Sequence, residues 1–326
     1  MNEQRHPRYQ HAISAIASRE SPAVLGETLA RCIKAARLQN APVLINILVN
    51  GNPELFDQIV DSSSTICAHA SETTDVNICH FERGDKSSTI NEYIYSFYDT
   101  AHLHILIDGY VWVHPDTLSK IAQAYASDPF LAATGVPSQG RSAKKVREQM
   151  LREGGLHGNM CILANESLKR MVSHSFKVPA FLYRSDGLLG AIINFNFSPA
   201  SNAWNAKAVR VIPELTWSIP RNPLFHPKAL IAYFKRRLRQ LQGDIENRAI
   251  KRLLAQQKIA IAGLPDTTYA LCAEQLHRES FSPLSYLLSP LRGYTQSRLL
   301  KKHAQVDRKP LGTNSRKCHA VSHNKA

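Results

Sequence analysis

Residues Glu82-Arg-Gly-Asp-Lys-Ser-Ser-Thr-Ile-Asn91 combine two cations, Arg83 and Lys86, with a glycine and a helix start. The apolar run Leu103-His-Ile-Leu-Ile-Asp108 then ends in a carboxylate. Helix starts attract anions through their free N–H groups, and Arg or Lys neutralises phosphate. A strand-end carboxylate shares Mg²⁺ or Mn²⁺ with phosphate oxygens. These are the parts for holding a nucleotide diphosphate and its metal, with Asp108 as the metal ligand. Asp186, in Tyr183-Arg-Ser-Asp-Gly-Leu-Leu189, stands at a loop–helix junction. There it serves as a helix N-cap, as a base toward a hydroxyl, or as both.

The elements that would position these groups alternate. Ala12–Ala17 reads as a strand, followed by a helix over Leu25–Leu38. Pro42–Val49 is a near-continuous apolar run, as for a strand covered on both faces, and stops at the turn signal Asn50-Gly-Asn-Pro53. Val76–Phe81, a helix over Thr89–Tyr98, the strand ending at Asp108 and a helix over Pro115–Tyr125 continue the pattern. Strand–helix alternation with short linkers predicts a parallel sheet wrapped by helices, whose ligands bind beyond the carboxyl ends of the strands. Ser18, Asn50, Arg83 and Asp108 all fall at or just past such ends. Further on, residues 135–155 read as a basic mobile loop, Gly158–Ala164 as a strand, 166–172 as a helix and Val209–Pro213 as a late strand.

The formal charge of +14 is unevenly spread: +1 over residues 1–227, +7 over 228–258 and +8 over 292–326. Charge of this kind seeks phosphate, whether lipid, nucleic acid or a polyanionic acceptor. No zinc, helix-turn-helix or RNA-binding signature accompanies it, so a nucleic-acid partner is not expected, although the basic region keeps that reading as an alternative. Six cysteines without Cys-x-x-Cys spacing argue against a structural zinc site and fit a reducing compartment. No apolar signal core or membrane-length apolar run is seen, and a cytoplasmic location is expected, with contact to the inner, anionic membrane face through the basic helices.

From Ile13 to Asp186 the ordered set resembles the nucleotide-diphospho-sugar-binding GT-A domain of family 2 glycosyltransferases. Ala17-Ser-Arg-Glu-Ser-Pro22 is similar to the family's first-strand loop, with Ser18 and Glu20, and Val49-Asn-Gly-Asn-Pro53 to its Asp/Asn-Gly-Ser turn, with Asn50. Gly84–Asn91 resembles the Gly-Lys-x-x-Ala-x-Asn loop, with one extra residue before Lys86. Ile107-Asp-Gly-Tyr-Val-Trp-Val-His-Pro-Asp-Thr-Leu118 resembles the Asp-x-Asp metal motif followed by Pro-x-x-Leu. Gly158–Leu168 matches the later glycine, strand and helix, and Ser185-Asp186 stands where a Glu-Asp pair supplies the base. Arg236, Arg237 and Arg239 are similar to a basic segment that lies near the diphosphate.

The resemblance implies a GT-A (Rossmann-like) domain over residues 11–227, after a polar lead at 1–10. A basic helical region at 228–291 and a basic, partly disordered tail at 292–326 would follow. It implies inverting transfer of a sugar from a nucleotide-diphospho-sugar donor to a glycan, lipid-linked or protein acceptor, in surface glycan or polysaccharide synthesis. Mn²⁺ or Mg²⁺ would bridge Asp108 and the diphosphate, Asp186 would be the base, and His157, Gly158 and Asn159 would face the acceptor. Three positions depart from the pattern: Tyr110 for the second motif carboxylate, Asn50 for Asp and Ser185 for Glu. They leave a second reading, a catalytically silent relative that binds nucleotide-sugar or acts as a scaffold.

Overall fold

The computed structural model describes residues 7–140, 142–220, 228–278, 290–308 and 314–321. The chain opens β1 (Tyr9–Ala17), α1 (Pro22–Ala36), β2 (Val43–Asn50), α2 (Pro53–Cys67), β3 (Thr74–Phe81), α3 (Lys86–Phe97) and β4 (Ala101–Asp108). Next come β5 (Trp112–Val113), α4 (Thr117–Ser127), β6 (Ala132–Pro137), α5 (Ala143–Glu153), β7 (Met160–Ala164), α6 (Asn165–Ser173), α7 (Ser185–Asn194) and β8 (Val209–Ser218). The C-terminal part holds α8 (Lys228–Lys251), which runs on into a π turn at Arg252–Gln256, then α9 (Thr268–Arg278), α10 (Pro290–Arg308) and β9 (Arg316–Val321).

One nine-stranded sheet runs in the order β5-β8-β6-β7-β4-β1-β2-β3-β9. Strands β1 to β4, β6 and β8 point one way, while β5, β7 and β9 oppose them. Consecutive parallel strands need crossovers, and the helices that supply them cover both faces. Every residue of β2 is therefore buried. Alternate strand residues serve two cores: Ile13, Ile45 and Ile105 pack with Leu25, Leu55 and Leu118 on one side. On the other, Ile16, Leu48 and Leu106 pack with Ile90, Leu168, Leu189 and Ala249. The α/β sheet flanked by helices expected from the sequence is the fold observed.

Several local expectations are corrected. The 135–155 loop is instead the end of β6 and the helix α5, whose Ala143 and Met150 are buried while Lys144, Lys145 and Arg152 are exposed and Arg147 is half-buried. Arg141 lies outside the described residues. Lys86 is the first residue of α3 rather than part of a loop, because Asp85 caps the helix through Ser87 N (3.2 Å) and Ser88 N (3.0 Å). The basic tail carries α10, packed through Leu299 against Ile245, Cys272 and Leu276, and the edge strand β9. The chain ends of the expected lead and tail, 1–6 and 322–326, lie outside the described residues.

Cys79 and Cys318 pair as a disulfide between β3 and β9, so not all six cysteines are thiols. That pairing does not fit the reducing compartment expected from the cysteine spacing. The remaining four, Cys32, Cys67, Cys161 and Cys272, are buried and free. No helix among the described residues is long and apolar enough to cross a membrane.

Candidate functional site

The carboxyl ends of β1 to β4 meet at one sheet edge, and their loops are packed backbone to backbone. Gly51 adopts φ +63°, and a Cβ there would lie 2.3 Å from Gly84 Cα, so the turn after β2 and the loop after β3 touch only because residue 51 is glycine. Gly109 is hemmed in likewise: its N–H donates to Ile16 O at 2.8 Å, and a Cβ would lie 2.7 Å from Ala17 Cβ. Thr28 Oγ1 donates to Gly109 O at 2.9 Å and fixes the turn that follows Asp108. In the β1 loop, Glu20 Oε2 accepts from the N–H groups of Ser18 (2.7 Å) and Arg19 (2.9 Å). Asn52, the N-cap of α2, donates to Ser18 O at 2.9 Å and ties the first two loops together.

On this edge both oxygens of Asp108 accept a hydrogen bond. Its Oδ1 accepts from Lys86 Nζ at 2.5 Å and its Oδ2 from the Tyr110 hydroxyl at 2.9 Å. Lys86 also donates to Gly158 O at 3.3 Å, and the Tyr110 hydroxyl reaches Asn159 Oδ1 at 3.3 Å. The Gly158 N–H donates to Asp186 Oδ2 at 2.8 Å, while Asp186 Oδ1 accepts from none of the described residues. A Cβ at Gly158 would sit 3.3 Å from Asp186 Oδ2 and 3.8 Å from Lys86 Nζ. Antiparallel β7 makes this possible by delivering the residues before Met160 to the edge where β4 ends. Under these groups, Ile16, Ile90, Leu106, Cys161 and Leu189 help line a small cavity with room for about one water, roughly 10 Å³.

Electrostatics follow the geometry. Burial works against the Lys86 ammonium, but the charge and hydrogen bond of Asp108 outweigh it, with Asp186 adding to them, and its pKa is raised. A third of the Lys86 side chain and about a sixth of that of Asp108 stay open to solvent (34% and 17%), so the pair faces the cleft rather than the core. Burial, then Asp108, pushes the Tyr110 phenol up, with Glu20 and Tyr183 acting in the same direction. His157 is lowered by burial against the opposing pull of Asp186 and Asp108. Its ring lies 5.1 Å from that of Trp217, and its Nδ1 accepts from Asn159 N at 3.2 Å.

Asp186 is set by what lies beneath it. The loop before α7 turns its Tyr183 and Arg184 N–H groups onto Glu246 of α8, at 3.1 and 3.0 Å. Glu246 is fully buried and also accepts from Gln242 Nε2 (2.7 Å) and Thr268 Oγ1 (2.9 Å). Gly243, one turn earlier, leaves space for the Arg184 side chain, which a Cβ would meet at 2.7 Å. Glu246 was passed over in the sequence because it lies in a helix read only for its basic residues. Its signal is an apolar spacing, Ile245 and Ala249 flanking it on the buried side. Asp85 was also missed; besides capping α3 it accepts from Phe181 N at 2.9 Å and joins the β3 loop to the 180s loop.

Of the residues singled out from the sequence, Lys86, Asp108, His157, Gly158, Asn159 and Asp186 come together. Ser18 and Glu20 stand at the same edge, with Glu20 close enough to act on Tyr110. Asn50 is buried at the end of β2. Arg83 donates to Ser88 Oγ at 3.1 Å, and its backbone N–H donates to Asn314 Oδ1 at 2.9 Å. Arg236, Arg237 and Arg239 are exposed on α8, one to two turns before Gly243, and none of them joins the cluster of hydrogen bonds around Asp108.

A hard divalent cation needs free carboxylate oxygens. Asp108 Oδ1 already pairs with an ammonium, whose charge opposes a second cation beside it, Oδ2 accepts from a phenol, and no second carboxylate stands at position 110. Among the described residues no three His, Cys, Asp or Glu side chains converge. The residues present do not fit a divalent cation.

No protein-family model and no curated protein matches the sequence. Solved structures do match. A mannosyltransferase from Pyrobaculum calidifontis, in complex with GDP-Man and Mn²⁺, is 14% identical over 94% of this chain and 88% of its own, with a TM-score of 0.54. Residues 1–349 of S. aureus TarS in complex with UDP-GlcNAc are 13% identical over 91% of this chain and 81% of that one, with a TM-score of 0.51. The same TarS segment in complex with UDP gives 14% identity and a TM-score of 0.51 over 86% of this chain and 75% of that one. At such identities the likeness is one of fold: the chain has the GT-A fold of nucleotide-sugar glycosyltransferases.

Proposed function

We propose that the chain is a family 2-like glycosyltransferase that moves a sugar from a nucleotide-diphospho-sugar to an acceptor hydroxyl with inversion. The observation that carries this reading is the meeting of Lys86, Asp108, Gly158 and Asp186 where the parallel strands end. A diphosphate lying over the α3 start would meet the Lys86 ammonium, with Arg83 beside it. Asp186, held by Gly158 N through one oxygen, keeps Oδ1 for the acceptor. It would accept the hydroxyl proton while the oxygen attacks the anomeric carbon and the nucleotide diphosphate departs on the opposite side. Tyr183 and His157 form the rim on which a glycan, lipid-linked or protein acceptor would rest, as in the building of a surface glycan or polysaccharide. The exposed arginines of α8 suit a phosphate-bearing partner such as an anionic membrane face.

The test is release of UDP or GDP from pooled UDP- and GDP-sugars, resolved by ion-exchange chromatography. Wild type releases the nucleotide diphosphate, and Asp186→Asn loses about 100-fold or more in rate with nucleotide binding intact. Tyr110 and Ser185, standing where the related pattern has carboxylates, favour one rival. Binding by the wild type with no release, unaffected by Asp186→Asn, would replace the transferase with the silent nucleotide-sugar-binding relative.

A further inference from the structure

The Lys86–Asp108–Tyr110 arrangement has the form of a cation site in which the cation is a side chain. Asp108 Oδ1 holds the Lys86 ammonium at 2.5 Å, and Asp108 Oδ2 is closed by the Tyr110 hydroxyl at 2.9 Å. Gly158 O holds a second N–H of the ammonium at 3.3 Å. An ammonium has three donors, so one remains for a ligand, on a side chain that is 34% exposed to the cleft. Lys86 is also pinned from its backbone side as the first residue of α3, behind the Asp85 cap. A point charge held by helix start, carboxylate and carbonyl needs little reorganisation to meet a phosphate oxygen.

We infer that Lys86 takes the place of a divalent cation, so that the chain binds a nucleoside diphosphate without metal. Asp108 then orients the lysine, and Tyr110 keeps the second carboxylate oxygen from ligating a metal. The inference rests on the nucleotide-diphosphate reading of this same site and adds the means by which the diphosphate charge is met.

Calorimetric titration of UDP and of GDP into the full chain tests it, once in EDTA and once in excess Mn²⁺. The expected result is binding of at least one nucleotide in EDTA, with a Kd within about threefold of that in Mn²⁺. Lys86→Met should weaken binding in EDTA by about tenfold or more, Lys86→Arg by much less, with melting temperatures confirming that both variants fold. Electron paramagnetic resonance of Mn²⁺ titrated with protein and UDP should show no protein-dependent loss of the free-ion signal. Binding that appears only with Mn²⁺, or Lys86→Met binding as wild type does in EDTA, overturns the inference and leaves the transferase reading standing. Binding of neither nucleotide in either condition removes both.

Discussion

Glu246 never reaches the cleft, yet its replacement should be felt there. Its carboxylate accepts from two backbone N–H groups of the loop that carries Asp186, and from Gln242 and Thr268. Glu246→Leu strands both backbone donors in a buried place, each at a cost of about 1–3 kcal/mol. Relief of the buried charge offsets part of this, since desolvation raises the Glu246 pKa even against four hydrogen bonds. A net loss of about 3 kcal/mol follows, against about 1 kcal/mol for Glu246→Gln, which keeps an acceptor oxygen.

The pH dependence carries a sign. Between the ordinary carboxyl pKa and the raised one, the folded state binds the proton better than the unfolded chain does. Stability contributed at this site therefore falls as pH rises through that window. Urea unfolding of wild type and Glu246→Gln across mildly acidic pH should show the two curves converging as pH rises, with other groups cancelling in the difference. A purely structural role would stop there. Displacement of Asp186 should also lower kcat for donor turnover by about tenfold, with nucleotide Kd held. Wild-type stability and kcat in Glu246→Leu would show that Glu246 neither holds this loop nor positions Asp186.

The buried His11 and His104, 1% and 0% exposed, are both lowered by burial to about 4. The unfolded chain binds their protons first, so stability is full above about pH 6.5 and lost on acidification, by about 2 kcal/mol per histidine near pH 5. Thermal unfolding at a series of pH values checks this, and a flat profile from neutrality to pH 5 would contradict it. Reduction of Cys79–Cys318 by a dithiol, or Cys318→Ser, opens a link across 239 residues. The unfolded chain gains entropy equivalent to about 5 kcal/mol, so the urea midpoint should fall clearly, and an unchanged midpoint would count against the pairing. Because Ser315 O and Asn314 Oδ1 accept from Glu82 N and Arg83 N, reduction should also speed proteolysis near β9.

The parallel half of the sheet was legible because its strands are buried on both faces and end in turn-forming residues. The run 42–49, which forms β2 at Val43–Asn50, and the Asn-Gly-Asn-Pro turn needed no partner to be read. Lys86 and Asp108 could be placed for the same reason, each beside such an end, whereas Asp186 was placed by its loop–helix junction alone. Features that depend on distant partners escaped. Cys79 finds Cys318 only through the β3–β9 register, and β9 is an exposed edge strand with no apolar alternation to announce it. The helix α5 hides its two buried residues among charges and so looked like a basic loop. Asp85 was read as loop composition, although Asp before Lys-Ser-Ser is a helix-start signal in its own right.

In the proposed complex a nucleotide diphosphate lies across the end of β4 and the start of α3. A crystal of the chain soaked with UDP or GDP in EDTA measures it most directly. Diphosphate density is expected within hydrogen-bond reach of Lys86 Nζ, near Arg83 and on the side of Asp108 facing Asp186. Nucleotide density elsewhere on the chain, with Lys86 still bound only to Asp108 and Gly158, would contradict it.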